Sequence, residues 1–335
     1  MTRKITALAV AALMATGVAA CGSDDEGSGG SGGSGGEGKK VTDIAFFGFA
    51  AANSFAQATY AGIKEEAAKQ GINVKFFDPN FDSATQVSQI QNAITAGKYQ
   101  AFIVQANDGN AVVPPIREAI DEGIAVVGEF TPIGTKYDTI EPQVPGLVFV
   151  GEPPTENGTT LGKMGVEACK GVDPCQVAYL EGFKALPLDN ARTEAVKAEL
   201  AKAPNVEVVA SVEGGYTQAT GLKAAQNVLQ ANPDVDVMIG SSQAIAGAEQ
   251  AVEDAGKEVK LIGNGGSRQA VKAVKEGRWF ATYVGPEKDA GKKAAQLAIS
   301  KAEGKEVPAS FDTRDLQDPY GTKDKLGDFE GQYDE

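Results

Sequence analysis

The side chains that could carry chemistry come from a restricted set, because the 335-residue chain contains no histidine. Without an imidazole, a Ser-His-Asp triad and a Cys-His pair are excluded, and so are metal sites that depend on histidine. Any catalysis would have to rest on Asp, Glu, Lys or Tyr. This composition favours a binding role over a catalytic one.

The segment Gly263-Asn264-Gly265-Gly266 is the nearest approach to a nucleotide-binding motif. It does not fit the G-x-G-x-x-G pattern, because Arg268 occupies the sixth position and no acidic ribose partner follows at the required offset. A Walker-type lysine motif is absent as well. We therefore expect no catalytic residue, no cofactor and no metal ligand, and we interpret the chain as something other than an enzyme.

Two cysteines, Cys169 and Cys175, flank a short turn that contains Gly171 and Pro174. Outside the cytoplasm such a pair favours a disulfide over two free thiols. Two sulfurs without a histidine argue against a metal site. We therefore expect a disulfide between Cys169 and Cys175, with free thiols as the alternative.

The N-terminus has the pattern of a targeting segment. Arg3 and Lys4 precede an apolar run over 5–20, which has the length of a secretory signal and is short for a membrane span. The small residues before Cys21 resemble a bacterial lipobox, in which a lipid is attached to the cysteine and cleavage makes it the new N-terminus. We expect 1–20 to be a signal peptide and Cys21 to be lipidated; ordinary cleavage near Ala20 is the alternative.

The next segment, 21–40, is expected to be a tether. Residues 22–38 are almost entirely Gly, Ser, Asp and Glu, which cannot form a core and behave as a flexible coil. Such a coil reaches roughly 25 Å. Together with a diacyl anchor it would hold an extracytoplasmic body at the outer face of the cytoplasmic membrane or in the periplasm.

The net charge of −14 argues against nucleic acid as a partner, because nucleic-acid binding needs clustered Lys and Arg. The length and the 42% apolar composition are sufficient for two α/β domains with their own cores.

Beyond residue 40, short β-rich runs alternate with segments of helical length, as in parallel sheets covered by helices. The expected strands are 43–49, 72–77, 101–104, 124–127, 147–150, 177–180, 206–212, 237–239, 259–262 and 279–284. Because the unit runs twice around an irregular join at 131–146, we predict two similar three-layer α/β/α lobes with mostly parallel sheets and a hinge. The expected ranges are 41–146 plus 286–308 for lobe one and 147–285 plus 309–335 for lobe two, with the acidic end, 318–335, as a strap.

Several short motifs follow these strands in order. They are Ala52-Asn53-Ser54-Phe55-Ala56, Asp78-Pro79-Asn80, Gln105-Ala106-Asn107-Asp108, Leu188-Asp189-Asn190-Ala191-Arg192, Gly215-Tyr216-Thr217, Ala246-Gly247-Ala248 and Gly263-Asn264-Gly265-Gly266. Their order and spacing resemble the ribose-binding type of periplasmic solute-binding protein, the type 1 periplasmic binding fold, over about 41–308. The resemblance implies a cleft at the carboxyl ends of the strands that closes on a solute by hinge motion.

That family presses aromatic rings on sugar CH faces and bonds the hydroxyls with charged and amide side chains. By resemblance, Asn53 would bond a hydroxyl, Phe55 and Tyr216 would contact the ligand, and the Arg192 fork would hold two of its oxygens. Each has a plainer alternative, since Asn53 could be a helix cap, the aromatics core residues and Arg192 a solvated helix residue. The full ligand-binding set predicted is Asn53, Phe55, Asp108, Glu129, Phe130, Arg192, Tyr216, Ser242, Gln243, Asn264 and Gly265.

Three departures from the family pattern affect the expected ligand. The aspartate of the first lobe aligns on Phe130, with Glu129 beside it; the aspartate of the second lobe aligns on Gly265, and a glutamine aligns on Gly285. The usual recognition of a pentose or hexose is thereby weakened. A longer polyol, a modified sugar or a ligand that reaches the Gly265 backbone amides would fit the remaining groups.

Taken with the resemblance, these features predict a monomeric solute-binding protein of an ABC importer that delivers a monosaccharide or polyol to a membrane permease. A sensory receptor that presents its closed form to a membrane sensor is the alternative, because the same body would serve both.

Overall fold

The computed structural model describes residues 40–335 as twelve strands, nine α-helices and a short 3₁₀ turn. The strands are β1 (Asp43–Phe47), β2 (Asn73–Phe77), β3 (Ala101–Val104), β4 (Ala125–Glu129), β5 (Val148–Gly151), β6 (Cys175–Glu181), β7 (Val206–Glu213), β8 (Val237–Ser241), β9 (Lys260–Asn264), β10 (Ala281–Tyr283), β11 (Ser310–Asp312) and β12 (Tyr320–Thr322). The helices are α1 (Ser54–Ala68), α2 (Ser83–Ala96), α3 (Val113–Asp121), α4 (Pro154–Ala168), α5 (Pro187–Leu200), α6 (Gln218–Ala231), α7 (Ser242–Asp254), α8 (Arg268–Glu276) and α9 (Glu287–Ala302).

The predicted signal peptide, the predicted lipidation site Cys21 and nearly all of the predicted tether lie outside these described residues. Within 40–335, no helix combines the length and apolar character needed to cross a bilayer.

The strands form two six-stranded sheets with the same layout. Sheet one has the order β11-β5-β4-β3-β1-β2 and sheet two the order β12-β10-β9-β8-β6-β7. All pairs are parallel except β10 with β12, which is antiparallel. The predicted fold class, two α/β lobes with mostly parallel sheets, is confirmed.

The expected lobe ranges need correction at two strands. β5 pairs with β4 and β11 pairs with β5, so both belong to sheet one, although 147–285 and 309–335 were assigned to lobe two. The irregular stretch 131–146 connects β4 to β5 within sheet one, so it is not the connection between the lobes. The chain instead crosses between the lobes after β5, after β10 and after β11. These three crossings form the hinge region.

Each sheet has a hydrophobic core on both faces. In lobe one, α1 and α9 cover one face around Ile44, Phe46 and Ile63, while α2 and α3 cover the other around Phe47 and Phe102. Lobe two repeats this arrangement with α6, α7 and α8 on one face and α4 and α5 on the other. Because both faces are buried, the strands read as apolar runs, and the polar side chains collect at the strand ends.

Cys169, directly after α4, and Cys175, the first residue of β6, are bonded with an S–S distance of 2.08 Å. Both sulfurs are fully buried in the core of lobe two. The disulfide therefore joins the end of α4 to the start of β6, the strand next to the edge strand β7.

Candidate ligand-binding site

A cavity lies between the carboxyl edges of the two sheets and is lined by side chains from both lobes. On lobe one, Asn53 follows β1, Asn107 follows β3, Glu129 ends β4 and Glu152 follows β5. The carboxyl ends of neighbouring parallel strands meet at one edge, so these polar residues form a row. The predicted residues that line the cavity are Asn53, Phe55, Glu129, Phe130, Arg192, Tyr216, Gln243, Asn264 and Gly265.

Arg192 is the centre of a buried network on lobe two. It lies on α5, is 5% exposed, and its Nη1 donates to Asp189 Oδ1 at 3.0 Å. The Tyr216 hydroxyl donates to the same carboxylate oxygen at 2.5 Å, and the Phe183 backbone N–H donates to the other at 2.8 Å. Arg192 Nε has no hydrogen-bond partner among the described residues, so one donor of the guanidinium stays available.

Burial and partial compensation set the charges of this network. Burial raises the pKa of Asp189 above its ordinary value, although the Arg192 charge acts in the opposite direction. Burial lowers the pKa of Arg192, but Tyr216 and Asp189 outweigh it, so the net shift is upward and the guanidinium stays charged. The result is a fixed ion pair with one unused N–H donor, suited to an oxygen of a bound ligand.

The lobe-one wall carries aromatic rings. The Phe55 and Phe130 ring centroids are 4.6 Å apart in an edge-to-face arrangement, and Phe49 lies 6.1 Å from Phe130. The Arg192 Cζ lies 5.8 Å from the Phe130 centroid, which brings the two lobes together over the cavity. Phe81 stacks on Tyr216 across the same gap at 5.9 Å. These rings provide apolar faces for the CH groups of a ligand.

Glu129 is buried beneath these rings. Its Oε2 accepts a 2.7 Å hydrogen bond from Gln105 Nε2, and burial raises the pKa of its carboxyl to about 8. The sequence identified this glutamate only as the neighbour of Phe130, whose backbone has φ 63°. This left-handed conformation turns the chain directly after β4, so that Glu129 and Phe130 both line the cavity.

Glu152 and Glu287 also line the cavity, and the sequence did not indicate them. Glu152 accepts hydrogen bonds from Asn157 Nδ2 at 3.2 Å and from the Tyr283 hydroxyl, and burial raises its pKa to about 7. The pKa of Glu287 is well above its usual value because of burial and the nearby Glu129 and Glu152 carboxyls. The signal for Glu152 was its position directly after an apolar strand.

Two predicted ligand residues, Asp108 and Ser242, do not line the cavity. Asp108 Oδ1 instead accepts hydrogen bonds from the backbone N–H groups of Asn110 and Ala111, at 2.9 and 3.0 Å, and so shapes the turn after β3. Ser242 is fully buried and its hydroxyl donates to Glu335. In both cases the side chain already has hydrogen-bond partners within the protein. They are backbone N–H groups for Asp108 and the Glu335 carboxyl for Ser242.

Asn53 caps α1, because its Oδ1 accepts from Ala56 N at 2.9 Å, and it also lines the cavity. Gln243 Nε2 donates to Ser54 Oγ at 3.0 Å across the lobes. Asn264 and Asn157 are hydrogen-bonded to each other by their side-chain amides at 3.1 and 3.2 Å. These four amides are therefore held in place by contacts within the protein.

The glycines at the departures from the family pattern make room for other side chains. A Cβ on Gly265 would lie 2.4 Å from Ser242 Oγ and 2.8 Å from the Tyr333 hydroxyl. A Cβ on Gly285 would lie 1.7 Å from Glu287 Oε1. Tyr333 and Glu287 thus occupy the space that side chains at Gly265 and Gly285 would need, which no local sequence pattern indicates.

The C-terminal segment 331–335 is bound to lobe two and touches lobe one. Tyr333 forms a bridge with Ser267, and its carbonyl accepts from Arg268 N at 2.8 Å. Gln332 Oε1 accepts from Lys288 N and Asp289 N at the start of α9, at 3.0 and 3.2 Å. The segment therefore connects the two lobes beside the cavity, as a strap would.

No group of three or more His, Cys, Asp or Glu within 40–335 is placed to hold a metal ion. The site consists of aromatic rings, amides, an ion pair and buried carboxyls. Such a set can bind a small hydroxylated molecule by ring contact and directed hydrogen bonds.

A family model described as a periplasmic binding protein domain matches residues 44–306. The chain is 25% identical over 257 residues to the ribose import binding protein of Bacillus subtilis (strain 168), covering 76% of this chain and 80% of that protein. It is 26% identical over 255 residues to the D-allose-binding periplasmic protein of Escherichia coli (strain K12), covering 74% and 80%. A solved ABC transporter solute-binding protein from Mycobacterium smegmatis with bound glycerol is 25% identical, with a TM-score of 0.73 and coverage of 87% and 97%.

Proposed function

The chain belongs to the periplasmic binding protein family, as an extracytoplasmic solute-binding component of a sugar ABC importer, and we propose that it captures a monosaccharide or polyol between its lobes by hinge closure. The observation that carries this proposal is the cavity between the strand ends, which side chains of both lobes enclose. Closure would bring Asn53 and Phe55 of lobe one against Arg192 and Tyr216 of lobe two.

The chemistry of the lining supports a hydroxylated solute. Phe55 and Phe130 offer ring faces to CH groups, while Arg192 Nε is a buried donor without a partner among the described residues. A buried donor without a partner costs free energy until a ligand oxygen accepts its hydrogen. An apolar ligand would leave that cost in place, whereas a hydroxyl or ring oxygen would remove it.

The contacts between the lobes support a mechanism of closure. Gln243 to Ser54, Phe81 to Tyr216 and the Gln332 contacts with α9 all join the two lobes beside the cavity. A hinge opening would break these contacts and expose the cavity, so a ligand that touches both lobes shifts the equilibrium toward the closed form. The protein would act as a monomer that presents this closed form to its permease.

We further propose that Cys21 carries the lipid and that 22–40 tethers the body to the membrane. Mass spectrometry of the protein purified from bacterial membranes tests this proposal. We expect a diacylated N-terminal Cys21 and no residues 1–20, and release of the protein into the medium or periplasm for Cys21→Ala. An unmodified N-terminus after cleavage would contradict lipid anchoring and leave solute capture untouched.

The test of solute capture is a thermal-shift screen with D-ribose, D-allose, myo-inositol and glycerol, extended to other sugars, polyols and sugar acids. A ligand present at about 100 times its Kd adds about 2.7 kcal/mol to the free energy of unfolding, which a melting curve resolves. We expect at least one hydroxylated compound to raise the Tm in proportion to the logarithm of its concentration. A flat response across the whole panel would contradict the proposal.

A further inference from the structure

The lobe-one side of the cavity contains three buried glutamates. Glu129 ends β4, Glu152 follows the adjacent β5, and Glu287 is the first residue of α9, which packs on both strands. The exposed fractions of the three residues are 1%, 6% and 5%. Carboxyls buried this deeply must be neutralised by a proton, by a cation or by hydrogen bonds.

The protein's own cations compensate only one of the three. Arg192 and Arg314 both act on Glu152, which also accepts hydrogen bonds from Asn157 and Tyr283. Arg192 is already paired with Asp189 at 3.0 Å, and the exposed Arg314 is paired with Asp312 at 2.6 Å. Little cationic charge is left for the other two carboxyls.

Glu129 and Glu287 have much poorer surroundings. Glu129 accepts a single side-chain hydrogen bond, from the neutral amide of Gln105. Glu287 accepts none from the described residues, and the distant Arg192 is the one cation that acts on it. Both carboxyls line the cavity, so a bound molecule can reach them.

A separate observation also points to a ligand at this end of the cavity. Asn107, at the end of β3 beside β4, is 1% exposed and lines the cavity, yet neither its Nδ2 nor its Oδ1 has a hydrogen-bond partner among the described residues. The Tyr333 hydroxyl, beside Ser242, makes no hydrogen bond of normal geometry either. Buried polar groups in native proteins are almost always paired, so a polar ligand group is expected here.

A metal ion is a poor candidate for that ligand group. No three acidic groups among residues 40–335 are close enough together to coordinate one ion. An organic cation is larger, and one ammonium group with three N–H donors can bond two separated carboxylates and an amide oxygen.

We propose that the ligand is a hydroxylated molecule that carries a protonated amine, such as an amino sugar or an aminocyclitol, and that its ammonium group lies between Glu129 and Glu287. This inference rests on the proposed function, since it names the class of solute that the cleft captures. The hydroxyl groups face Arg192 and the amides, and the CH face of the ligand contacts Phe55 and Phe130.

The protonation of these groups predicts a signature of binding. In the empty cavity, burial raises the pKa of Glu129 to about 8 and raises that of Glu287 well above its usual value. At pH 7 the Glu129 carboxyl therefore holds a proton in the ligand-free protein. An ammonium ligand favours the ionised Glu129 carboxylate, so binding releases its proton, whereas a neutral polyol accepts a hydrogen bond from the protonated acid and releases none.

The experiment compares matched pairs by isothermal titration calorimetry at pH 7. The pairs are D-glucosamine with D-glucose, D-galactosamine with D-galactose, and an aminodeoxyinositol with myo-inositol. We expect the aminated member of at least one pair to bind 10-fold or more tightly than its parent. Titration in buffers of different ionisation enthalpy should show release of about one proton for the amine and none for the parent.

Variants locate the ammonium subsite. Glu129→Gln and Glu287→Gln keep the shape of the side chain and remove its charge, and each should lower the preference for the amine over its parent by about 10-fold or more. Glu118→Gln, on the exposed side of α3, is the matched control and should keep the wild-type preference. Each glutamine variant should fold, because Gln is neutral without a bound proton. The melting temperature of the ligand-free variant checks this.

The outcomes separate this inference from the proposed function. If in every pair that binds the neutral parent binds as tightly as its amine or more tightly, or if the amine binds without proton release, the ammonium subsite is wrong while solute capture stands. If no member of any pair nor any compound of the wider panel binds, solute capture itself is wrong, and the subsite fails with it.

Discussion

The two faces of the cleft handle charge in opposite ways. On lobe two, Arg192, Asp189 and Tyr216 compensate one another within a single buried network. On lobe one, Glu129 and Glu287 are buried with almost no compensating charge or hydrogen bond. The charges of lobe two are therefore compensated within the protein, whereas the buried carboxyls of lobe one lack a compensating charge unless a ligand supplies it. Sheets with the same strand layout can thus supply complementary halves of one site.

Removing the guanidinium from lobe two should have the largest effect on binding. Arg192→Ala should weaken ligand affinity by about 2 to 5 kcal/mol, because it truncates a charged hydrogen-bond donor in an enclosed cleft. It also leaves Asp189 buried without its cation, so the empty protein should lose stability as well. Calorimetric titration and urea unfolding measure the two effects separately.

Arg192→Lys is the control for this prediction. It keeps the positive charge near Asp189 but lacks the planar fork, so it should restore most of the stability and only part of the affinity. Wild-type affinity in Arg192→Ala would show that the network is structural and would remove the contrast between the two faces.

The pH dependence of stability tests whether the buried Glu129 of lobe one lacks compensation. Burial raises the pKa of Glu129 from 4.5 to about 8, so between these values the folded state binds a proton that the unfolded state has lost. This contribution is fully present below pH 4.5 and is lost as the pH rises through 8. Through Glu129 alone, the free energy of unfolding of the ligand-free protein should fall by up to about 1.4 kcal/mol per pH unit in this window.

Urea unfolding at pH 5, 7 and 9 measures this slope. Glu129→Gln should make it less steep, because the amide does not titrate; Glu152 and Glu287, whose pKa values are also raised, account for the slope that remains. The salt-bridged Glu65, whose pKa is lowered to about 2 by Lys288 and Lys292, provides the control, since Glu65→Gln should leave the slope between pH 5 and 9 unchanged. A wild-type stability that stays constant from pH 5 to 9 would mean that Glu129 is compensated in the empty protein.

The sequence predicted the compensated site residues of lobe two better than the buried glutamates of lobe one. Arg192 and Tyr216 lie in short motifs with fixed spacing along α5 and the β7–α6 turn, so a local pattern located them. Glu287 reaches the cavity because α9 returns to lobe one after β6 to β10 have formed in lobe two, and Glu152 because β5 pairs with β4 across the irregular stretch 131–146. No local pattern encodes the pairing of β5 with β4 or of β11 with β5, which is why the sequence placed both strands in lobe two.

The strand pattern itself was predictable, because β1 to β10 are apolar runs bounded by turns. The later strands β11 and β12, of three residues each, carry too few side chains for a periodic signal. The roles of Gly265 and Gly285 also needed the structure. A glycine in the sequence shows only that a side chain is missing. The structure shows that Tyr333 and Glu287 occupy the space that side chains at Gly265 and Gly285 would need.

The aromatic wall of lobe one should make an intermediate contribution. Phe55→Ala should weaken binding by about 1 to 2 kcal/mol, because it removes one ring face and part of the contact with Phe130. Phe183→Ala is the matched control, since Phe183 packs edge-on against Tyr216 at 5.2 Å but does not line the cavity. Equal losses of affinity in the two variants would mean that aromatic packing in general, and not ligand stacking, supports binding.

The smallest effect is expected at the strap, where the two faces are joined. Gln332 is carried by lobe two and accepts hydrogen bonds from Lys288 N and Asp289 N at the start of α9 in lobe one. Opening of the hinge breaks these bonds, so they stabilise the closed form selectively. Loss of a side chain that caps a helix costs about 1 kcal/mol, and Gln332→Ala should therefore raise Kd about 5-fold, mainly through faster ligand release.

Asp334→Ala separates the strap's link between the lobes from its attachment to lobe two. Asp334 pairs with Arg268 at 2.8 Å within lobe two, and both side chains are more than half exposed, so removing this pair should change Kd very little. Stopped-flow measurement of ligand release compares the two variants directly. If Asp334→Ala accelerates release as much as Gln332→Ala does, the strap acts by covering lobe two and not by holding the lobes together.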